Sequence, residues 1–112
     1  MKRGDIVLAE VHFTDSSVAK VRPALVVSSE PVNRGQDRIL IPISSRVDRL
    51  SPWDVVAKPS DAAFVATGLH RPSAFLCAKV ITLHATLIKR RLGTAASYMD
   101  KIEACLKNAL AL

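Results

Sequence analysis

The run Lys20-Val21-Arg22-Pro23-Ala24-Leu25-Val26-Val27-Ser28-Ser29 constrains the fold more than any other stretch of the chain. Leu25, Val26 and Val27 are consecutive, bulky and strand-favouring, so a strand built from them is covered on both faces. Pro23 fixes its own φ and lacks a backbone donor, which predicts a strand over 24–29 that begins just after it. Arg22 precedes the proline and is biased to extended backbone. A guanidinium therefore stands at the lip of a rigid central strand. That position suits an anion-binding group, and equally an arginine that caps the strand and pairs with a loop carboxylate.

A chain of 112 residues is expected to form a single domain over 1–112. Apolar residues make up 49%, enough for a core without staples. The two cysteines, Cys77 and Cys105, lie in apolar runs and read as buried, reduced thiols. No apolar run is long enough for a signal peptide or a membrane span, so the expected location is cytoplasmic, with no membrane partner. Lysine and arginine number 16 against 10 acidic residues, a formal charge of +6. That balance points to a polyanionic partner such as RNA, DNA or an acidic peptide. The aromatic residues are Phe13, Phe64, Phe75, Trp53 and Tyr98. So few argue against a base-stacking platform and for contacts through a nucleic acid backbone. Trp53 is expected in the core.

In chain order the pattern predicts a strand over 6–13, a polar loop over 14–20, the strand over 24–29, and a turn cluster over 30–36 with Pro31, Asn33 and Gly35. A third strand over 38–44 carries Pro42, the mark of an edge or a bulge. A basic loop over 45–52 leads to a short strand over 53–57. Ser60 as N-cap and Gly68 as C′ residue predict a short helix between them. One long strand is expected over 73–83, then a short strand or helical turn over 87–92. From Thr94, a good N-cap, apolar residues recur at Met99, Ile102, Leu106, Ala109 and Leu110, the three-and-four spacing of an amphipathic helix. The fold class is mostly β with α: an SH3-like, partly closed antiparallel barrel with a long C-terminal helix and a short internal helix.

Three pieces of the sequence then carry a resemblance: Lys2-Arg3-Gly4-Asp5-Ile6-Val7, Val21-Arg22-Pro23-Ala24-Leu25-Val26-Val27-Ser28, and Leu40-Ile41-Pro42-Ile43-Ser44-Ser45. Gly68-Leu69, Pro72-Ser73, Thr82 and Arg91-Leu92-Gly93 add to it in the same order. The chain resembles the PemK/MazF toxins of type II toxin–antitoxin systems over nearly its whole length. The resemblance implies an SH3-like barrel, a homodimer and a metal-independent endoribonuclease that cuts single-stranded messenger RNA, with no cofactor. It also implies a cognate antitoxin whose flexible acidic tail covers the RNA groove.

In such chemistry the ribose 2′-hydroxyl attacks the adjacent phosphate and leaves a 2′,3′-cyclic phosphate and a 5′-hydroxyl. A base, an acid and cationic donors to the phosphoryl oxygens are needed. Arg22 matches the family's reactive arginine. A guanidinium holds its charge at ordinary pH, which favours a phosphate clamp over a proton carrier. Ser44 matches the family's catalytic threonine or serine, and can donate to the same phosphate. Lys20, Ser45, Arg46, Arg49 and Lys79 are the expected RNA-binding residues, with Arg34 and Arg38 close by. The plainer role for Ser44 and Ser45 is to turn the strand into its loop.

The chain also departs from the family. The positions where some members place an arginine and an aspartate on strand five are Leu76 and Ala78 here, which leaves the base and the acid unassigned. His12, His70 and His84 show no metal-ligand spacing and are expected to be surface or satisfied residues. The competing reading is a dimeric SH3-like module that binds RNA or antitoxin and cleaves weakly or not at all.

Overall fold

The computed structural model describes residues 1–11 and 20–112. The elements in order are β1 (Asp5–Val11), β2 (Lys20–Val26), α1 (Glu30–Asn33), β3 (Asp37–Ser44), β4 (Asp54–Ala57), β5 (Ser73–Leu76), β6 (Ile81–His84), β7 (Ile88–Thr94) and α2 (Met99–Leu110). Single 3-10 turns lie at Val65–Thr67, Ala85–Leu87 and Ala96–Tyr98. The sheet is antiparallel throughout, ordered β4-β5-β3-β2-β1-β7, with β6 beside the first half of β3. Its ends, β4 and β7, do not pair, so the sheet stays open. This is the expected mostly-β class with a C-terminal helix. His12, Phe13 and the loop over 14–20, apart from Lys20, fall outside the described residues.

The two prolines of the central strands sit where the sheet has no bond to lose. Pro23 lies inside β2, paired with Leu8, and the strand opens at Lys20 rather than after the proline. Val27 donates its N–H to Ile39 O. Donors alternate sides along a strand, so the Pro23 nitrogen faces β3. The registered pairs of β2 and β3 stop one residue short of it, at Ala24 with Pro42. Pro42, in turn, marks neither an edge nor a bulge in β3, which is a central strand. Its nitrogen faces away from β2, into the gap between β6, whose last pair is Leu40 with Ile81, and β5, whose first is Ile43 with Phe75. The expected long strand over 73–83 is broken there. Residues 77–80 loop out between β5 and β6, opposite Ile41 and Pro42, where no donor holds them to β3.

Both faces of the central strands are covered, as the Leu25-Val26-Val27 run demands. Ile6, Leu25, Ile41 and Phe75 pack on one side with Tyr98, Met99 and Ile102 of the terminal helical segment. Val7, Ala9, Ala24, Val26 and Leu40 form a second cluster on the other side, against Ile81, Leu83 and Ile88. The first half of α2 docks on the core through Met99 and Ile102, while Leu110 at its end is half exposed. Thr94 ends β7 and caps neither helix: its Oγ1 accepts from Ala96 N at 3.1 Å, where the 3-10 turn begins, and the N-cap position of α2 is Tyr98. The turn cluster after β2 contains one turn of α-helix, α1, with Pro31 in its first turn, where a missing donor costs nothing. Ser60 does not cap a helix. The internal helix is only the 3-10 turn at Val65–Thr67.

Trp53 is 40% exposed, contrary to its expected core position. Its backbone is fixed, the N–H donating to Ser51 Oγ and the carbonyl accepting from Cys77 N, while the ring lies outside. Cys77 is buried and Cys105 half-buried, both as free thiols. Burial, and Cys105 beside it, push the Cys77 thiol up to about 12.

Candidate functional site

A cleft of about 650 Å³ opens on one face of the sheet. Its floor follows from the register. Leu8 stands between Pro23 on β2 and Arg90 on β7, and Ile43 comes abreast of Pro23 one step past the pair Ala24–Pro42. An apolar row thus crosses three strands and ends in a guanidinium.

The same register brings together the two residues expected to do the chemistry. β2 and β3 pair as 26 with 40, 25 with 41 and 24 with 42, and Arg22 and Ser44 each lie two residues beyond that last registered pair, at the same end of the two strands. Both line the cleft, as do Lys20, Ser45 and Arg46. Arg22 is half-buried at this lip. Ser44 Oγ accepts from Arg46 N at 3.1 Å, so the hydroxyl turns the chain out of β3 and keeps its own proton to donate. Arg46 also meets Asp48 at 3.5 Å, an exposed pair of little weight.

Arg49 and Lys79 do not line the cleft: the first lies in the loop after β3, the second in the turn between β5 and β6. Arg34 and Arg38 belong to the opposite end of β3, about 20 Å from Ser44 at the rise of a strand. Arg38 Nη1 is spent on Gly35 O and Asp37 O, and Arg34 faces Glu30.

The far wall is the segment from Gly68 to Ser73, which brings Leu69, His70 and Arg71 to the cleft. It is held at several points. Gly68 has φ +72°, and a Cβ there would stand 2.2 Å from Leu92 O. A Cβ on Gly93 would stand 2.3 Å from Ala66 O. Only two glycines allow the 3-10 turn and β7 to meet backbone to backbone. Thr67 Oγ1 donates to Phe64 O and accepts from Leu69 N at 3.1 Å. Ser73 Oγ donates to Arg71 O at 2.8 Å. Further back, Asp61 accepts from Lys58 N at 2.9 Å and from the Tyr98 hydroxyl at 2.8 Å. Those two bonds hold the Asp61 carboxyl below its ordinary range, and burial with Asp61 beside it pushes the Tyr98 phenol up to about 12.

Five cationic residues, Lys20, Arg22, Arg46, Arg71 and Arg90, line the cleft, and among the described residues no carboxylate does. None of Lys20, Arg71 and Arg90 forms an ion pair with a described residue. Such a lining concentrates positive potential over a concave surface and draws in anions. His70, Arg71 and Arg90 were not singled out for the site from the sequence. Arg90 had a partial signal: it alternates with Arg91, the two pairing with Leu8 and Val7, while the irregular pairing at Lys89 is not legible in the sequence. His70 and Arg71 had none, because their place depends on where Gly68 meets β7.

The other histidines are placed differently. His84 Nδ1 caps the turn after β6, accepting from Thr86 N at 3.2 Å. His12 lies outside the described residues. Leu76 ends β5 and Ala78 is exposed in the following turn, so neither supplies an acid or a base. Among the described residues no group of three or more His, Cys, Asp or Glu is arranged to hold a metal ion.

The family model of the PemK-like, MazF-like toxins of type II toxin–antitoxin systems matches residues 2–110. Among solved structures, the chain is similar to an endoribonuclease from a mycobacterial species in complex with its cognate antitoxin, at 23% identity and TM-score 0.78, covering 100% of this chain and 96% of that one. It is similar to the Mycobacterium tuberculosis toxin MazF-mt6, at 24% identity and TM-score 0.76 over 96% and 97% of the two chains. MazF from Deinococcus radiodurans gives 19% identity and TM-score 0.74 over 100% and 97%. At these identities the likeness to the solved structures establishes the fold alone. No curated protein matches the sequence.

Proposed function

The chain belongs to the PemK-like, MazF-like toxins of type II toxin–antitoxin systems, and from that premise we propose that it is an endoribonuclease cleaving single-stranded RNA without a metal ion. The observation that carries this reading is the cleft itself, where Arg22 and Ser44 stand among four further cations and no described carboxylate. The charge on the phosphate is met by guanidinium and ammonium groups. Arg22 clamps two phosphoryl oxygens with its fork of donors, and Ser44 donates its hydroxyl proton to the same phosphate. The 2′-hydroxyl attacks, the bond to the 5′-oxygen breaks, and the products end in a 2′,3′-cyclic phosphate and a 5′-hydroxyl. Lys20, Ser45 and Arg46 hold the flanking backbone, whose counterions are released on binding.

The same cationic cleft suits the acidic tail of a cognate antitoxin; the similar mycobacterial endoribonuclease was solved in complex with its cognate antitoxin. A homodimer is the expected assembly. The reading as a module that binds without cleaving is favoured by one observation, the absence of an acid or base at Leu76 and Ala78.

The deciding experiment is cleavage of a long single-stranded messenger transcript in EDTA, wild type beside Arg22→Ala, with product ends mapped. Cyclic-phosphate ends from wild type, lost in the variant, are the expected result. Intact RNA from a folded wild type across several transcripts supports the binding module instead.

A further inference from the structure

We propose that His70 is the proton-transfer residue of the cleft, its imidazole taking the proton of the attacking 2′-hydroxyl. The proposal rests on the ribonuclease reading above and assigns the one job that reading leaves open. The cleft holds arginine and lysine, which do not accept protons at neutral pH, and serine hydroxyls, which are far weaker bases than imidazole. Among the described residues that line the cleft, His70 carries the only imidazole, the side-chain type best suited to general acid–base work.

The position is built. His70 follows Gly68, pinned against Leu92, and Leu69, whose N–H is held by Thr67; Pro72 and the Ser73–Arg71 bond fix the chain after it. Its ring makes no hydrogen bond with a described residue, whereas the His84 ring is committed to Thr86. The charged groups around it are Lys20 and Arg22 from β2, Arg46 after β3, Arg90 from β7 and its neighbour Arg71. No described carboxylate of the cleft competes for the role.

The step balances simply. The 2′-hydroxyl proton passes to the imidazole as the 2′-oxygen bonds to phosphorus, and the bond from phosphorus to the 5′-oxygen breaks. The leaving 5′-oxygen takes a proton from water at the open side, and the imidazolium returns its proton to solvent.

The test compares wild type, His70→Ala, Arg22→Ala and His84→Ala on the transcript in EDTA, across pH and with direct measurement of RNA binding. His70→Ala is expected to slow cleavage by about a hundredfold or more while holding RNA within about threefold of wild type. It also loses the rise in rate through neutral pH, and added imidazole restores part of the rate. His84→Ala cleaves as wild type does. A His70→Ala protein that cleaves within a few fold of wild type, or that slows yet keeps the same pH profile, overturns the assignment and leaves the ribonuclease reading intact. A folded wild type that cleaves no RNA overturns both.

Discussion

Two groups of basic residues share β7 and its surroundings. In one, Arg91 Nε donates to the buried Asp5 at 2.9 Å, Lys89 meets Glu10 at 3.2 Å, and Arg3 meets Glu103 at 3.0 Å. In the other, Arg90 enters a cleft with four further cations and no described carboxylate. The neighbours Arg90 and Arg91 serve two purposes because they pair with Leu8 and Val7, which face opposite sides of β1. The difference teaches that charge type says little about role here. For the neighbours Arg90 and Arg91, what differs is whether a described carboxylate stands opposite.

The largest expected contrast sets Arg22 against Arg91. Arg22→Ala is expected to lower RNA cleavage by about a hundredfold or more. Arg91→Ala leaves cleavage near wild type but exposes the cost of a buried carboxylate, about 1–2 kcal/mol of stability once its exposure is discounted. Denaturation midpoints beside product assays check both, and equal loss of activity in the two variants breaks the distinction. Gly68→Ala comes next. With φ +72° and Leu92 O in the way, it is expected to destabilise by about 2–4 kcal/mol and to spoil the cleft wall.

A smaller effect sharpens the comparison within β7. Arg90→Ala is expected to weaken RNA binding at every sequence and to reduce the salt slope of affinity by about 0.7. Lys89→Ala leaves that slope unchanged and costs at most about 0.5 kcal/mol. Titrations of a single-stranded oligonucleotide at several salt concentrations resolve the two. The smallest effect is pH dependence of the fold through Asp61 and Tyr98. The Tyr98 phenol is raised from 10.0 to about 12 when folded, so its contribution is complete below pH 10 and lost as pH rises toward 12. The Asp61 carboxyl is held low, so its contribution is present above the ordinary carboxylate range and lost as pH falls below it. Melting temperature against pH is expected to fall at both ends. Tyr98→Phe flattens the alkaline limb and Asp61→Asn flattens the acid one.

The family motifs divide along the same line. Lys2-Arg3-Gly4-Asp5 and Arg91-Leu92-Gly93 meet one another: Asp5 accepts from Lys2 N and Arg91 Nε, Arg3 Nη1 donates to Val27 O, and Gly93 admits the 3-10 turn. They hold the sheet together. Arg22-Pro23 and Ser44-Ser45 end in the cleft. Read along the chain, the two kinds of motif look alike.

Local pattern carried much of the fold. The consecutive Leu25-Val26-Val27 run, the spacing of Met99, Ile102 and Leu106, and Gly68 as a left-handed stop are properties of short windows, and they hold in the structure. That Arg22 and Ser44 line one cleft follows from the antiparallel pairing of β2 with β3, which puts the start of one beside the end of the other. Tertiary structure alone decided the break at 77–80, the absence of Arg49 and Lys79 from the cleft lining, and the arrival of His70, Arg71 and Arg90 in it. Each depends on which neighbour a strand finds: Pro42 interrupts a strand thirty residues later by offering it no donor, and Gly68 sets the far wall by meeting β7. Propensity and periodicity act over a few residues, whereas register and close backbone approach join residues far apart in the chain, and it is those contacts that turned a basic composition into a cleft.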